Sequence, residues 1–193
     1  TLEEHQSSRW IVEPVFRLFD CCQESDGGVA VVVTRTDRAR DLKQPPVQIL
    51  HATQSVPFGT ETVTDFYRDD LTRMHSGEEA ARELYTRTGV GPDDIQVAML
   101  YDHFTISVYW QLEAFGFCKP GEARDYIAAG HLELDGRTPL SPNGGLIGEA
   151  YIHGVNNIAE AVRQIRGTAV NQVDAVEHVL VSSGMSAAIL GRA

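Results

Sequence analysis

Two short stretches of this chain hold the side chains that could do chemistry. The first, Asn143-Gly144-Gly145-Leu146-Ile147-Gly148-Glu149-Ala150-Tyr151-Ile152-His153-Gly154, opens on a glycine pair, ends in polar side chains and leads into an amphipathic helical pattern. Paired glycines let backbone approach a ligand closely and adopt positive φ. A helix N-terminus just downstream offers unpaired N–H groups and a partial positive charge. Taken alone, such a pair also reads as a surface loop before a helix. The second stretch, Tyr101-Asp102-His103-Phe104-Thr105, stands where a strand pattern gives way to a helical one. Ligands of α/β sheets collect beyond the carboxyl ends of strands. The two stretches form one site if Asn143, Gly144, Gly145 and Tyr151 face Tyr101 across a pocket. The alternative is structural: Tyr101 and His103 as hydrogen-bonded strand-end residues, and His153 as a contact at a helix start.

The elements that must position them follow from periodicity. Val29–Thr34 is a continuous apolar, mostly β-branched run, the pattern of a strand buried on both faces, with Asp26-Gly27-Gly28 as the turn before it. Residues 37–46 form a polar connection, Val47–Ala52 a second strand and Ser55–Thr64 a loop. Glu78–Thr88 has helical spacing, with Gly89 as its stop and Gly91–Asp94 as a turn. Ile95–Tyr101 predicts a third strand, Phe104–Phe115 an apolar helix and Gly121–Ala129 a short one. Gly130–Gly148 reads mostly as loop, and Asn157–Ile165 as a strong helix. Val176–Ser182 and Ser186–Leu190 are the last strands, joined through Ser183-Gly184. The order predicts an α/β layered domain, a mixed β-sheet packed by helices.

Composition narrows the partners. A net charge of −11 with no Lys/Arg cluster argues against nucleic acid or an anionic membrane. A hydrophobic content of 42% and a charged content of 22% suit one globular domain with a full core. No apolar run reaches membrane-spanning length. Cys21, Cys22 and Cys118 are odd in number and lack a CxxC spacing, so neither a zinc site nor a disulfide framework is expected. They read as packed thiols in a reducing cytoplasm. His51, His75, His131 and His178 are scattered and read as structural, while Glu113 and Glu149 read as lone, water-facing carboxylates. The opening lacks an initiator Met, and Trp10-Ile11-Val12-Glu13-Pro14 reads like the middle of a protein. A fragment is expected.

From about Trp10 to Leu190 the chain resembles the C-terminal half of the thiolase superfamily. Asp20–Ala30 is similar to that family's segment leading into the half. Tyr101-Asp102-His103-Phe104 stands where thiolases carry Asn-Glu-Ala-Phe, or His-Asp-Cys-Phe in the sterol-carrier type. Asn143-Gly144-Gly145 through Tyr151-Ile152-His153-Gly154 stands where they carry Asn-x-x-Gly-Gly followed by Gly-His-Pro-x-Gly. Ser182-Ser183-Gly184-Met185 stands near the terminal glycine-rich turn. The departures are chemical. Tyr151 occupies the catalytic histidine position, Tyr101 the oxyanion position, and the segment from His178 to Gly184 lacks the second cysteine. On this resemblance residues 1–193 form a C-terminal thiolase-like domain whose N-terminal half is absent.

Together with Glu160–Gly167, the pattern resembles the thiolase-like aldolases of steroid side-chain degradation, often labelled lipid-transfer proteins. That resemblance implies retro-aldol cleavage of a β-hydroxyacyl-CoA, typically a 17-hydroxy steroid thioester yielding a 17-ketosteroid and propionyl-CoA. It implies a catalytic set of Tyr101, Tyr151, His103, His153 and Asp102, and a substrate-binding set of Asn143, Gly144, Gly145, Phe104 and Gly184. No cofactor or metal is expected, the CoA thioester being substrate. Partners implied are a homodimer mate and a small protein with an OB-fold and zinc ribbon. A thiolase-fold acyltransferase and a non-catalytic acyl-CoA or lipid carrier are the rival readings. Retro-aldol chemistry needs a base for the hydroxyl, a site for the enolate and an acid for its carbon. A tyrosine base, whose ordinary pKa is about 10, needs nearby donors or positive charge, which the Gly144 and Gly145 amides, His103 or His153 would supply.

Overall fold

A computed structural model describes residues 1–56 and 70–193. The expected loop Ser55–Thr64 therefore lies largely outside the described residues. Thr1 caps a short exposed helix, α1 (Leu2–Ser7), through a capping box with Glu4. This helix is additional to the expected elements, although Thr-x-x-Glu is its signature. A small antiparallel pair follows, β1 (Trp10–Val12) and β2 (Phe16–Arg17). Further on come α2 (Thr36–Ala39), β3 (Val47–Gln54), α3 (His75–Thr88) and β4 (Val97–Met99). The chain continues through α4 (Thr105–Ala114), α5 (Ala123–Ala128), α6 (Gly145–Gly148) and α7 (Val155–Arg166). It ends with β5 (His178–Ser182) and β6 (Ser186–Arg192).

The main sheet has the order β3-β6-β5-β4, antiparallel at the first two joins and parallel between β4 and β5. The expected mixed sheet is thus observed, with helices on both faces. Side chains alternate along the strands and feed two cores. Val97 and Met99, with Val179, Val181 and Leu190, pack against Ala161 and Ile165 of α7. Ala98, Leu100, Leu180, Ala187 and Ile189 pack on the other side with Ala80 and Leu84 of α3 and Val108 and Leu112 of α4. Burial of each large side chain contributes about 1.5–3 kcal/mol.

One expected strand is not formed. Val29–Thr34 is unpaired, with Val32 90% and Val33 73% exposed. Asp26-Gly27-Gly28 is likewise not a turn. Periodicity reports a segment's readiness to be a strand, but a strand exists only where a neighbour closes its hydrogen-bond ladder. Within the described residues β3, β4, β5 and β6 pair among themselves and leave this run without one. The other elements fall within a few residues of expectation. Gly89 ends α3 in the left-handed conformation at φ 73°.

Candidate active site

The strand β4 delivers the chain to Tyr101, and three buried polar side chains fix it there. The Asn157 amide of α7 donates to the Leu100 carbonyl at 3.0 Å. Gln111 of α4, 1% exposed, grips the next residue from both sides. Its Oε1 accepts the Tyr101 N–H at 3.2 Å and its Nε2 donates to the Tyr101 carbonyl at 3.0 Å. The Ser107 hydroxyl donates to the same carbonyl at 3.0 Å. Neither Gln111 nor Ser107 stands out in the sequence, where both look like ordinary residues of an apolar helix.

Tyr151 arrives from the other loop, and its hydroxyl oxygen lies 2.8 Å from that of Tyr101. The rings meet edge to face, centroids 6.1 Å apart. Each phenol is flanked by the imidazole two residues later. His103 lies 4.8 Å from Tyr101 and His153 lies 4.5 Å from Tyr151, centroid to centroid. A Cβ on Gly154, whose φ is 79°, would come within 3.1 Å of the Tyr101 ring. Glycine there lets the start of α7 press against the phenol.

Asp102 joins the two loops. Its buried carboxylate accepts the Leu146 N–H of α6 at 2.8 Å. A side chain on Gly145 would overlap that carboxylate, so the second glycine of the pair is what lets it reach the backbone. Burial pushes the Asp102 carboxyl above its usual range, partly offset by the N–H groups of Leu146 and Ile147. Burial also pulls the His103 imidazole below its ordinary value, offset in part by the Tyr101 carbonyl. Tyr101 is pushed up, first by burial and then by its bond to Tyr151.

The glycine amides are occupied. Gly144 N–H donates to the Ser141 carbonyl at 2.8 Å and Gly145 N–H to Asn143 Oδ1 at 3.3 Å. The expectation that these amides assist a base tyrosine is corrected: the turn uses them to hold its own positive-φ geometry. Asn143 Nδ2 binds Glu149, which also accepts from Asn156. Phe104 stacks on Phe16 and lies tilted against His103, with 37% of its surface exposed. Gly184, in the β5–β6 turn at φ 89°, neighbours Met74 just before α3, and its carbonyl lies close to Gly77.

A third segment, around the adjacent cysteines, does more than pack: it frames the site. Cys22 N–H donates to the His103 carbonyl at 2.9 Å, and Glu24 pairs alongside Tyr151. Asp20 accepts the Thr105 hydroxyl at 3.0 Å and His5 Nε2 at 2.9 Å. Burial alone would raise its carboxyl, but bonds from Arg17 N–H, His5 and Thr105 outweigh this and hold it low. The thiol of Cys22 is pushed up by burial and by the Asp102 charge, and that of Cys118 to about 11 by burial. Neither carries the mark of a reactive thiolate.

The profile described as thiolase C-terminal domain-like matches residues 59–189. The chain belongs to the thiolase C-terminal-like family. Within it, the chain is 54% identical over 184 residues to 17-hydroxy-3-oxo-4-pregnene-20-carboxyl-CoA lyase of Mycobacterium tuberculosis, covering 95% of this chain and 47% of that protein. It is equally 54% identical to the steroid side-chain-cleaving aldolase of Thermomonospora curvata, with the same coverage. A solved structure described as Ltp2-ChsH2(DUF35) aldolase superposes with a TM-score of 0.94 at 52% identity, covering all of this chain and 51% of that one. The chain thus spans about half the length of the curated relatives it matches. The resemblance read from the two tyrosine motifs is borne out, as is the thiolase-like layered fold.

Proposed function

We propose that this chain forms the phenol-bearing half of a retro-aldol carbon–carbon lyase acting on a β-hydroxyacyl-CoA, with a 17-hydroxy steroid side-chain thioester as substrate and a 17-ketosteroid and propionyl-CoA as products. The observation that carries it is the 2.8 Å contact between the Tyr101 and Tyr151 hydroxyls. Two linked phenols can take a proton from a tertiary alcohol and deliver one to a carbanion without any covalent acyl intermediate. The names of the two relatives at 54% identity describe the same class of reaction.

Removing the hydroxyl proton turns the C–O bond into a carbonyl and expels the side chain as a thioester enolate. An acid then protonates the enolate carbon. Tyr101, which holds its proton, is the acid, and Tyr151 is the base. No cofactor takes part. Similarity to the Ltp2-ChsH2(DUF35) aldolase complex supports a hetero-oligomer, here with an OB-fold, zinc-ribbon partner. A homodimer and a cytoplasmic location complete the reading. The test is an assay of the intact protein with its partner on a 17-hydroxy steroid CoA thioester. Release of propionyl-CoA supports the reading, and no release under any partner condition overturns it.

A further inference from the structure

A phenol must give up its proton before it can accept one from an alcohol, and the groups around this pair do not help it do so. Burial and the mutual hydrogen bond keep Tyr101 protonated. His103 is held neutral by burial, with Nδ1 near the Tyr101 carbonyl and the Ser107 hydroxyl. Cys22 remains a thiol, Asp102 is turned to the Leu146 amide, and Glu24 meets Tyr151 through its backbone.

His153 differs from all of these. Its imidazole lies 4.5 Å from the Tyr151 ring, tilted by 43°, and the residue is exposed to solvent. Among the described residues neither ring nitrogen has a hydrogen-bond partner. The residue sits at φ 49°, followed by Gly154 at φ 79°. Two successive left-handed residues fold the chain back, so that the imidazole covers the ring two positions earlier. Positive φ is uncommon outside glycine, with histidine among the side chains that accept it. The imidazole thus lies against the phenol ring and is itself open to solvent, where water can carry a proton between them.

We infer that His153 exchanges protons between Tyr151 and solvent, acting through Tyr151 rather than on substrate. The imidazole takes the Tyr151 hydroxyl proton, breaking O–H and forming N–H. The phenolate takes the substrate hydroxyl proton as the carbon–carbon bond breaks, and the bonding pair stays on the enolate. Tyr101 protonates the enolate carbon and is refilled by Tyr151. The next proton transfer to Tyr151 comes from the imidazolium, which returns neutral. The substrate's hydroxyl hydrogen thereby passes through Tyr151 to Tyr101, and the proton returned to Tyr151 is one that the exposed imidazolium has equilibrated with solvent.

This inference rests on the retro-aldol reading, and its test separates the two. The intact protein with its partner is assayed for cleavage of the steroid thioester and, separately, for exchange of the α-hydrogens of propionyl-CoA with deuterated water. His153→Asn and His153→Gly both accept the left-handed backbone, so both should fold. Each is expected to slow cleavage and exchange about 100-fold, and added imidazole should restore the glycine variant. A wild-type rate and pH profile in both variants, or a slowed glycine variant that imidazole does not restore, overturns the role of His153. Exchange that depends on His153 without any cleavage overturns the retro-aldol reading alone. Absence of both reactions in the unaltered protein overturns both.

Discussion

The hydroxyl oxygens of Tyr101 and Tyr151 lie 2.8 Å apart, although 50 residues separate them in the chain. Neither tyrosine is placed by its own loop alone. Gln111 and Ser107 hold the first from behind, Gly154 admits it against α7, and the segment containing Glu24 runs beside the second.

Loss of either hydroxyl should therefore remove the reaction while keeping the fold. Tyr101→Phe and Tyr151→Phe are each expected to lower kcat for propionyl-CoA release by about 100-fold or more. The double variant should lose little beyond the worse single one, because two groups acting as a unit are not additive. Full activity in both single variants would remove these residues from the mechanism.

Gln111 should matter for both stability and rate. Gln111→Leu keeps most of the volume but leaves the Tyr101 N–H and carbonyl short of partners in a buried place. A cost of about 1–3 kcal/mol in unfolding free energy is expected, with a fall in kcat as the phenol loses its aim. Denaturant titration and steady-state kinetics together check it. An unchanged midpoint would show that water replaces the amide at no cost.

Gly145→Ala should uncouple the two loops. The new Cβ meets the Asp102 carboxylate at a backbone φ of 63°, and a destabilisation of about 2 kcal/mol or more follows from the strain and overlap. Thermal unfolding of the variant would register it, and Asp102→Ala combined with Gly145→Ala should recover part of the loss.

Asp102 also gives the stability a definite pH dependence. Its folded pKa is raised by burial, so the folded state binds more protons than the unfolded chain in the window above the ordinary carboxylate value, near 4. The contribution of this group to stability is therefore largest in acid and falls as pH rises through the raised value. Asp102→Asn keeps an acceptor for the Leu146 N–H without that titration. Unfolding measured from pH 4 to pH 7 should show the variant gaining on the parent as pH increases, and parallel curves would contradict the assignment.

The layered α/β class, the boundaries of α3, α4 and α7, and the strands β3, β5 and β6 were legible because burial imposes periods of 3.6 and 2 on the residues that face a core. The tyrosine motifs and their flanking glycines were legible too, since side-chain chemistry and positive φ are properties of single residues. Tertiary structure decided the rest. Val29–Thr34 has the composition of a strand, but pairing depends on a neighbour that local sequence does not specify. The Gly144 and Gly145 amides looked free and proved to be spent on Ser141 and Asn143. Gln111 became a clamp, and Asp102 a tie between loops, only because the β4 exit, the start of α4 and α6 converge. Sequence by itself set which groups could exchange protons. Only the packing of distant segments brought two phenols to hydrogen-bond distance, because such a contact depends on long-range geometry that no local pattern encodes.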